Sequence, residues 1–203
     1  MVTRKKRKDR QKARDVAAKR YEKHRRHNLV YAKPGPHEFI VVLDNLKPSF
    51  NIGKIFRTAD AFGAHEIHLV GTDYFDTNSA MGSFKWVPAR FQPDFATSYN
   101  DLTERGYTLF MLEPEEGNYL HLAKMPAKSA FVFGHEEFGF SFDRKDYPGI
   151  KTLSIKQLGK VQSLNVSVAA SIVMYEYFRL HETISPSQPA AVKRQRNLRD
   201  ERN

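Results

Sequence analysis

An asparagine and an arginine, Asn51 and Arg57, occur close together in the segment that runs to Gly63. Asn51 lies where a helix is expected to begin, so its side chain can bond to backbone amides or to a ligand. Arg57 offers a planar guanidinium fork that suits a phosphate group. The two residues are six apart, nearly two helical turns, so they do not share one narrow face. The alternative interpretation is a helix N-cap and an ordinary surface arginine.

A second polar segment, residues 133–141, follows an apolar run that is typical of a buried strand. Its two glycines, Gly134 and Gly139, allow the backbone to approach a ligand closely. The adjacent His135 and Glu136 suggest a metal ligand or a general base. Their spacing matches no standard metal motif, however, and the segment is neither a dinucleotide-binding fingerprint nor a P-loop. We therefore expect no metal, and a plain turn is the alternative to a ligand loop.

A third segment, residues 153–172, runs from a strand through a loop of small residues into a helix. Ser163 and Asn165 stand at the start of that helix, where either side chain can serve as the N-cap. The loop before them is longer than a simple cap requires, and it carries further polar residues. The segment therefore predicts a ligand-binding loop, with simple helix capping as the alternative.

Short apolar runs alternate with helical stretches through the middle of the chain. The runs that predict strands are residues 39–43, 66–70, 107–112, 130–133 and 152–155. The stretches that predict helices are residues 51–62, 99–105 and 165–180. This alternation predicts an α/β fold, with a mostly parallel sheet that is covered by helices on both faces. Ligands of such sheets bind beyond the carboxyl ends of the strands, which indicates residues 113–117, 134–141 and 156–164.

The composition predicts one domain with tails. The chain has 203 residues, of which 40% are hydrophobic and 12% aromatic, enough for one sizeable core. It has no cysteine, which excludes disulfides, thiolate metal sites and a cysteine nucleophile and fits a reducing compartment. No apolar run approaches the length of a membrane span, and no secretion signal is found, so we expect a cytoplasmic protein without a membrane partner.

Positive charge is concentrated at the start of the chain. Residues 1–30 hold 13 Lys/Arg and 3 Asp/Glu, whereas residues 31–180 hold 15 and 17. Such a basic arm suits a polyanion, because each phosphate that it neutralises releases condensed counterions. A helix is possible over residues 4–27, and its few apolar side chains predict that it faces solvent or is ordered by RNA. The alternative is a solvated tail.

Together and in this order, the three segments resemble the SPOUT superfamily of methyltransferases, in its TrmH-like (SpoU) branch. The resemblance covers about residues 38–180, and its most specific part is Ser163-Leu-Asn-Val-Ser167 followed by Ala-Ala-Ser-Ile. It implies an α/β domain over residues 38–182 with a C-terminal deep trefoil knot, which periodicity cannot reveal. It also implies S-adenosylmethionine (SAM) as cofactor, held largely by backbone groups of Leu112, Glu113, Pro114, Gly134, Ile155, Leu158, Ser163 and Leu164.

The resemblance further implies methyl transfer from SAM to a ribose 2′-hydroxyl of RNA. In that scheme Asn51, Glu136 and Asn165 orient the ribose and the loops, and Ser163 holds the knot loop. Family members are usually homodimers, and Arg57 would approach the site from the partner. The matching arginine is often assigned as the base, but a guanidinium stays protonated. A charged Arg57 can instead bind the phosphate and stabilise the developing alkoxide while another acceptor or water takes the proton.

The basic arm, residues 1–30, then supplies phosphate attraction that the near-neutral domain lacks. Its RNA-binding candidates are Arg4, Lys5, Lys6, Arg7, Lys8, Arg10, Lys12, Arg14, Lys19, Arg20, Lys23, Arg25 and Arg26. Residues 183–203 are expected to form a flexible tail. His135 stands where a small residue is more familiar in the family, which could alter nucleotide preference. The favoured substrate is tRNA, and the alternatives are rRNA or a catalytically silent RNA-binding protein of the same fold.

Overall fold

The computed structural model of the protein describes residues 4–114 and 118–182. The expected tail at residues 183–203 lies outside the described residues, as do residues 115–117 of one candidate ligand loop. Within the two described ranges, no helix is both long enough and apolar enough to cross a membrane.

Seven parallel strands form one sheet in the described part of the chain. They are β1 (Ile40–Asp44), β2 (Glu66–Val70), β3 (Ala89–Gln92), β4 (Thr108–Leu112), β5 (Asn118–Tyr119), β6 (Ser129–Phe133) and β7 (Lys151–Ser154). Their spatial order is β3-β2-β1-β6-β4-β7-β5, and every neighbouring pair is parallel. The central strands β1 and β6 are buried at every position, as is typical of strands covered on both faces. All seven carboxyl ends therefore lie along one edge of the sheet.

Helices cover both faces of this sheet, as the sequence predicts. Those described are α1 (Arg4–Tyr31), α2 (Phe50–Ala61), α3 (Phe95–Glu104) and α4 (Val166–His181). The helices α2 and α4 share one core layer with Val41 and Leu43 of β1. The helix α3 belongs to the opposite layer, with Ile40 and Val42. Alternate side chains of one strand thus supply the two core layers of an α/β fold.

The predicted strands and helices all occur, and most boundaries differ by at most one residue. The helix α3 begins four residues earlier than predicted, because Asp94 caps it by accepting a hydrogen bond from the Thr97 amide at 2.8 Å. The sequence analysis missed β3 and β5. Both are edge strands: β3 contains the exposed Arg90, and β5 has only two residues. An edge strand is partly exposed to solvent, so its sequence lacks the continuous apolar run that marks a buried strand.

One residue of α1, Tyr21, belongs to the core. Its side chain is 3% exposed, and its ring centroid lies 4.8–5.7 Å from those of Tyr74, Phe75 and Phe84. Its hydroxyl donates to the carbonyl oxygen of Asp73 at 2.5 Å. The prediction of a helix that only faces solvent is therefore wrong for this part of α1. A single aromatic residue anchors the helix without producing an apolar stripe in the sequence.

Asn28 fixes the other end of α1 and so defines its direction. Its Nδ2 donates to the carbonyl oxygen of Val87 at 2.7 Å, and its Oδ1 accepts from the amide of Ala89 at 3.1 Å. Ala89 is the first residue of β3, whereas Asp73, which binds Tyr21, lies beyond the carboxyl end of β2. The helix therefore runs antiparallel to the strands. Its described contacts are with the segment that joins β2 to β3.

A buried ion network joins β2, β3 and α3. Glu66 is 3% exposed, and its carboxylate accepts hydrogen bonds from Arg90 Nε at 2.8 Å and from Arg105 Nη1. Burial raises the pKa of Glu66, but the hydrogen bonds with His68 and the two arginines have a larger effect in the opposite direction. The net result is a pKa lowered to about 2. Glu66, His68 and Asp101 bring possible metal-ligand atoms within 4.8 Å of one another. Two guanidinium groups already neutralise Glu66, so the geometry is that of an ion-pair network.

Candidate active site

Loops that follow β4, β6 and β7 enclose a cavity of about 650 Å³ at the carboxyl edge of the sheet. This volume is typical of small-molecule sites. The predicted cofactor contacts that line it are Leu112, Glu113, Pro114, Gly134, Ile155, Ser163 and Leu164. Leu158 is not among the lining residues, and its side chain is 91% exposed. Residues from three separate loops are thus brought to one site.

Three predicted catalytic residues are joined by hydrogen bonds at the rim of this cavity. Asn51, in the first turn of α2, donates from Nδ2 to Glu136 Oε1 at 2.8 Å. Asn165, the N-cap of α4, donates from Nδ2 to Asn51 Oδ1 at 3.3 Å. Both Glu136 and Asn165 line the cavity. We refer to Asn51, Glu136 and Asn165 as the polar triad.

Glu136 is held as an ionised hydrogen-bond acceptor. Its Oε2 also accepts from the backbone amide of Lys47, at 3.3 Å. Burial raises the pKa of Glu136, but hydrogen bonds from Asn51 and from backbone amides outweigh it, so the pKa lies below its ordinary value. At neutral pH this carboxylate can accept a hydrogen bond from a ligand hydroxyl, but it is a weak base.

Asn165 serves as both a helix cap and a member of the polar triad. Its Oδ1 accepts from the backbone amide of Ser167 at 2.9 Å and from Ser167 Oγ at 2.6 Å. Its Nδ2 remains free to donate to Asn51. An amide side chain can accept at one atom and donate at the other, which neither a serine nor an aspartate at this position would reproduce. The capping interpretation is therefore confirmed, and the same side chain also lines the cavity.

The loop after β6 folds back on itself at its glycines. His135 and Gly139 exchange two backbone hydrogen bonds, of 2.7 and 3.0 Å. A Cβ atom on Gly134 would lie 2.8 Å from the Gly139 carbonyl group, and Gly139 has a φ of +71°. Both positions therefore favour glycine. His135 Nδ1 accepts from the amides of Glu137 and Phe138 at 3.0 and 3.2 Å, which leaves Nε2 for a ligand.

Asp44, at the carboxyl end of β1, is a site residue that the sequence analysis missed. It is fully buried, and it accepts from the amide and the hydroxyl of Ser141 at 2.6 and 2.7 Å. Burial raises the pKa of Asp44, and the two bonds from Ser141 oppose this effect. These bonds tie the far end of the loop after β6 to the central strand. A charged residue directly after an apolar run was the available signal.

Gln157 is a second residue that the sequence analysis missed, although it lies in one of the indicated loops. It lines the cavity, and its Oε1 is buried without a hydrogen-bond partner in the described part of the chain. Leaving a buried acceptor unpaired costs free energy. The position therefore suits a ligand that donates an N–H or O–H group.

Arg57 is not part of the cavity wall of this subunit. Its side chain is exposed on α2. The next residue, Thr58, contacts Ser171 of α4, with 3.1 Å between the two Oγ atoms. The helix α2 therefore packs against α4 at this turn, and Arg57 is exposed on α2 outside the cavity lining. The structure brings Asn51 together with Glu136 of the second segment and Asn165 of the third. Arg57 is not part of this group.

The parallel sheet, the three loops at its carboxyl edge and the polar triad define an α/β protein with one composite small-molecule site. Residues 38–175 match the model of the SpoU rRNA Methylase family. The chain belongs to this family, as its motifs predicted.

Two curated relatives illustrate the range of the family. The tRNA (guanosine(18)-2'-O)-methyltransferase of Thermus thermophilus is 35% identical over 144 residues, which cover 68% of this chain and 73% of that protein. The 23S rRNA (guanosine-2'-O-)-methyltransferase RlmB of Nitrosomonas europaea is 30% identical over 147 residues, 70% of this chain and 56% of that protein. The chain therefore matches little more than half of the second relative.

Solved structures resemble the whole domain. The TrmH/SpoU tRNA modifying enzyme of A. aeolicus has a TM-score of 0.65 at 27% identity, covering 81% of this chain and 83% of that one. The AdoMet-bound rRNA methyltransferase of Sinorhizobium meliloti has a TM-score of 0.64 at 25% identity, covering 77% and 61%. AdoMet is another name for SAM, so one similar structure contains the cofactor that the resemblance implies.

Proposed function

We propose that the protein is a SAM-dependent RNA methyltransferase that acts on a ribose 2′-hydroxyl. The observation that carries this proposal is the polar triad at the rim of a cavity lined by the motif loops. The names of the Thermus and Nitrosomonas relatives support the same reaction. A dehydrogenase lacks support, because no dinucleotide-binding fingerprint follows β1.

The residues of the cavity fit SAM. Leu112, Ile155 and Leu164 give it apolar walls, and Gly134 lets the backbone approach a ligand. The unpaired acceptor of Gln157 suits a ligand with amino groups, which SAM has. When bound, SAM supplies a methyl group activated by its positively charged sulfur.

The polar triad would orient the ribose. The Glu136 carboxylate would accept a hydrogen bond from the 2′-hydroxyl. Asn51 holds that carboxylate in position, and Asn165 in turn holds Asn51. Because its pKa is lowered, Glu136 is a poor final proton acceptor at neutral pH. The 2′-oxygen would take the methyl group as the sulfur–methyl bond of SAM breaks, which leaves S-adenosylhomocysteine. The hydroxyl proton would pass through Glu136, which is a stronger base than water even with its lowered pKa, to the solvent. Ser163 holds the loop before α4 against the cofactor.

We also propose a homodimer that forms through α4. Three apolar side chains repeat along the exposed face of this helix, with exposures of 47, 37 and 54%: Val168, Ile172 and Tyr175. The opposite face is buried in the core. Arg57 is exposed on α2 at the turn that packs against α4, so a partner that covers the stripe would also approach Arg57. Two-fold symmetry would then give each site an arginine from the other subunit.

Mixing two impaired variants tests this arrangement. Arg57→Ala and Glu136→Gln should each have at most about a tenth of the wild-type activity alone, but a mixed dimer has one site with both residues intact. After unfolding and refolding together, statistical mixing should restore about one quarter of the wild-type activity. Methyl incorporation into RNA measures it. If the mixture is no more active than its components, Arg57 does not act across a subunit interface.

The knot remains part of this proposal. The late strand β6 lies between β1 and β4, and β7 lies between β4 and β5. Both are inserted between strands that precede them in the chain, an order that a threaded C-terminal part would need. Family membership supports the same topology.

The basic arm is proposed to hold the RNA. Tyr21 bonds Asp73, which follows the carboxyl end of β2, and we infer that the helix preceding Tyr21 continues towards the edge where the cavity lies. Cationic side chains exposed on the described part of this helix are Lys12, Arg14, Lys19, Arg20, Lys23 and Arg26. Their phosphate contacts would keep a folded RNA over the site.

We favour tRNA as the substrate, in line with the Thermus relative, and rRNA is the second candidate. The cytoplasm, where both RNAs occur, is the proposed compartment. Nucleoside mass mapping of RNA from cells that lack the protein tests the proposal. One missing 2′-O-methylated nucleoside in tRNA is the expected result. A complete set of 2′-O-methylated nucleosides, together with no SAM binding by calorimetry, would contradict it.

A further inference from the structure

Three aromatic rings meet at the end of α1, on the opposite edge of the sheet from the cavity. The ring of His27 lies 4.7 Å from that of Trp86 and 4.9 Å from that of Tyr31, between centroids. Trp86 is 49% exposed and Tyr31 is 62% exposed. We refer to His27, Tyr31 and Trp86 as the ring cluster. Tyr21 and Asn28 are the buried residues that anchor this helix, so the exposed faces of these rings are not needed to hold it on the domain.

Lysine side chains lie next to the ring cluster. Lys85 Nζ lies 6.0 Å from the centroid of the Trp86 ring. Lys23 is exposed on α1 one turn before His27, so Lys23 and Lys85 are the cations next to the rings. Exposed aromatic faces next to cations match a nucleotide, which has a flat base and an anionic phosphate. An apolar protein surface would leave the cations desolvated and unpaired.

We propose that the ring cluster is a second RNA-binding site, which stacks an unpaired base of the substrate while Lys23 and Lys85 contact its phosphates. The proposal rests on the proposed RNA substrate and adds to it a site that is remote from the chemistry. Trp86 precedes β3 by three residues, so the cluster lies near the amino ends of the strands. It cannot touch the reacting ribose, and it therefore acts on RNA affinity rather than on methyl transfer.

The single tryptophan of the chain makes this contact directly measurable. Stacking of a base on Trp86 should quench its fluorescence. The full-length protein is titrated with an oligouridylate and, separately, with inorganic polyphosphate of matched charge. Strong quenching by the oligouridylate and little quenching by polyphosphate are expected. Equal quenching by both, RNA binding without quenching, or no binding of the oligouridylate would each overturn the proposal.

Two variants of the last turn of α1 separate stacking from apolar docking. Tyr31 and Leu29 are exposed to nearly the same extent, 62 and 64%, but only tyrosine can stack a base. Tyr31→Ala should weaken oligouridylate binding at least about fivefold, the low end of the effect of removing one stacked ring. Leu29→Ala should leave the dissociation constant unchanged. If both variants weaken binding equally, or neither does, the surface is not a stacking site.

Methyl-transfer kinetics distinguish failure of this proposal from failure of the proposed function. With bulk RNA as substrate, Tyr31→Ala should raise KM for RNA and leave kcat and the affinity for SAM unchanged. An active wild-type protein whose Tyr31→Ala variant keeps the wild-type KM would refute the ring cluster alone. A wild-type protein that transfers no methyl group but shows base-dependent quenching would refute the proposed reaction and keep the RNA site. Matching melting temperatures exclude unfolding as the cause.

Discussion

Replacing Tyr21 with alanine should weaken the docking of α1 on the domain and leave the cavity intact. The tyrosine ring fills a space among Tyr74, Phe75 and Phe84, and its side chain is 3% exposed. Truncating a buried aromatic side chain to alanine typically costs about 3–5 kcal/mol. The lost hydrogen bond to the Asp73 carbonyl adds about 1 kcal/mol. The docking equilibrium of the helix should therefore fall by about a thousandfold or more.

The matched control is Tyr21→Phe, which keeps the ring and loses only the hydroxyl. Its expected cost is about 1 kcal/mol, or about fivefold in the docking equilibrium. Trp86 reports on docking, because its ring contacts His27 of α1. In urea titrations, Tyr21→Ala should show a red-shifted tryptophan emission at denaturant concentrations where Tyr21→Phe is still docked. Affinity for SAM, measured by calorimetry, should be equal in both variants.

The reasoning would be refuted if the alanine and phenylalanine variants gave the same emission and the same urea midpoint. That result would mean that the aromatic contacts of Tyr21 contribute little to the docking of α1. Loss of SAM binding in the alanine variant alone would instead mean that α1 supports the cavity.

Three further predictions follow from other parts of the molecule. Deleting residues 1–18, which keeps the anchors Tyr21 and Asn28, should weaken RNA binding and flatten its salt dependence in filter-binding assays, with SAM affinity unchanged; unchanged salt dependence would contradict the role of the arm. Glu136→Gln should lower methyl incorporation about 10- to 100-fold, because it replaces a charged acceptor with a neutral one, and full activity would exclude Glu136 from the site. The fold lowers the pKa of Glu66, so the ionised Glu66 stabilises the protein fully when the pH is above its ordinary pKa of 4.5. This stabilisation is lost as pH falls from about 4.5 to about 2. The melting temperature of Glu66→Gln should therefore be lower at neutral pH and change less than that of the wild type across that acid range; parallel curves would refute this.

The sequence predicted the features that depend on neighbouring residues. Buried parallel strands appear as continuous apolar runs, so the sheet core could be located closely. The loops at the carboxyl ends of β4, β6 and β7 were found by the same reasoning, and they line the cavity. The family resemblance then connected these loops to a cofactor.

The features that the sequence did not predict depend on contacts between distant residues. Asn51 lies 85 residues from Glu136 and 114 from Asn165, so no local pattern predicts their hydrogen bonds. Gln157 is distinguished by a buried Oε1 that has no hydrogen-bond partner among residues 4–114 and 118–182. Tyr21 is the one aromatic anchor of α1 in the described chain, and Asn28 is a polar one, whereas the apolar pattern of a helix requires several apolar residues. An isolated contact of this kind has no periodicity to detect.

The docking of α1 also determines the order in which the chain can assemble during synthesis. The partners of Asn28 lie 56 to 61 residues further along the chain. At typical rates of translation, the ribosome needs about 3–12 s to add that length. Throughout this interval the most basic part of the protein exists as an unattached segment beside ribosomal RNA. Because this basic segment has few apolar side chains, it offers little surface on which the incomplete protein could aggregate.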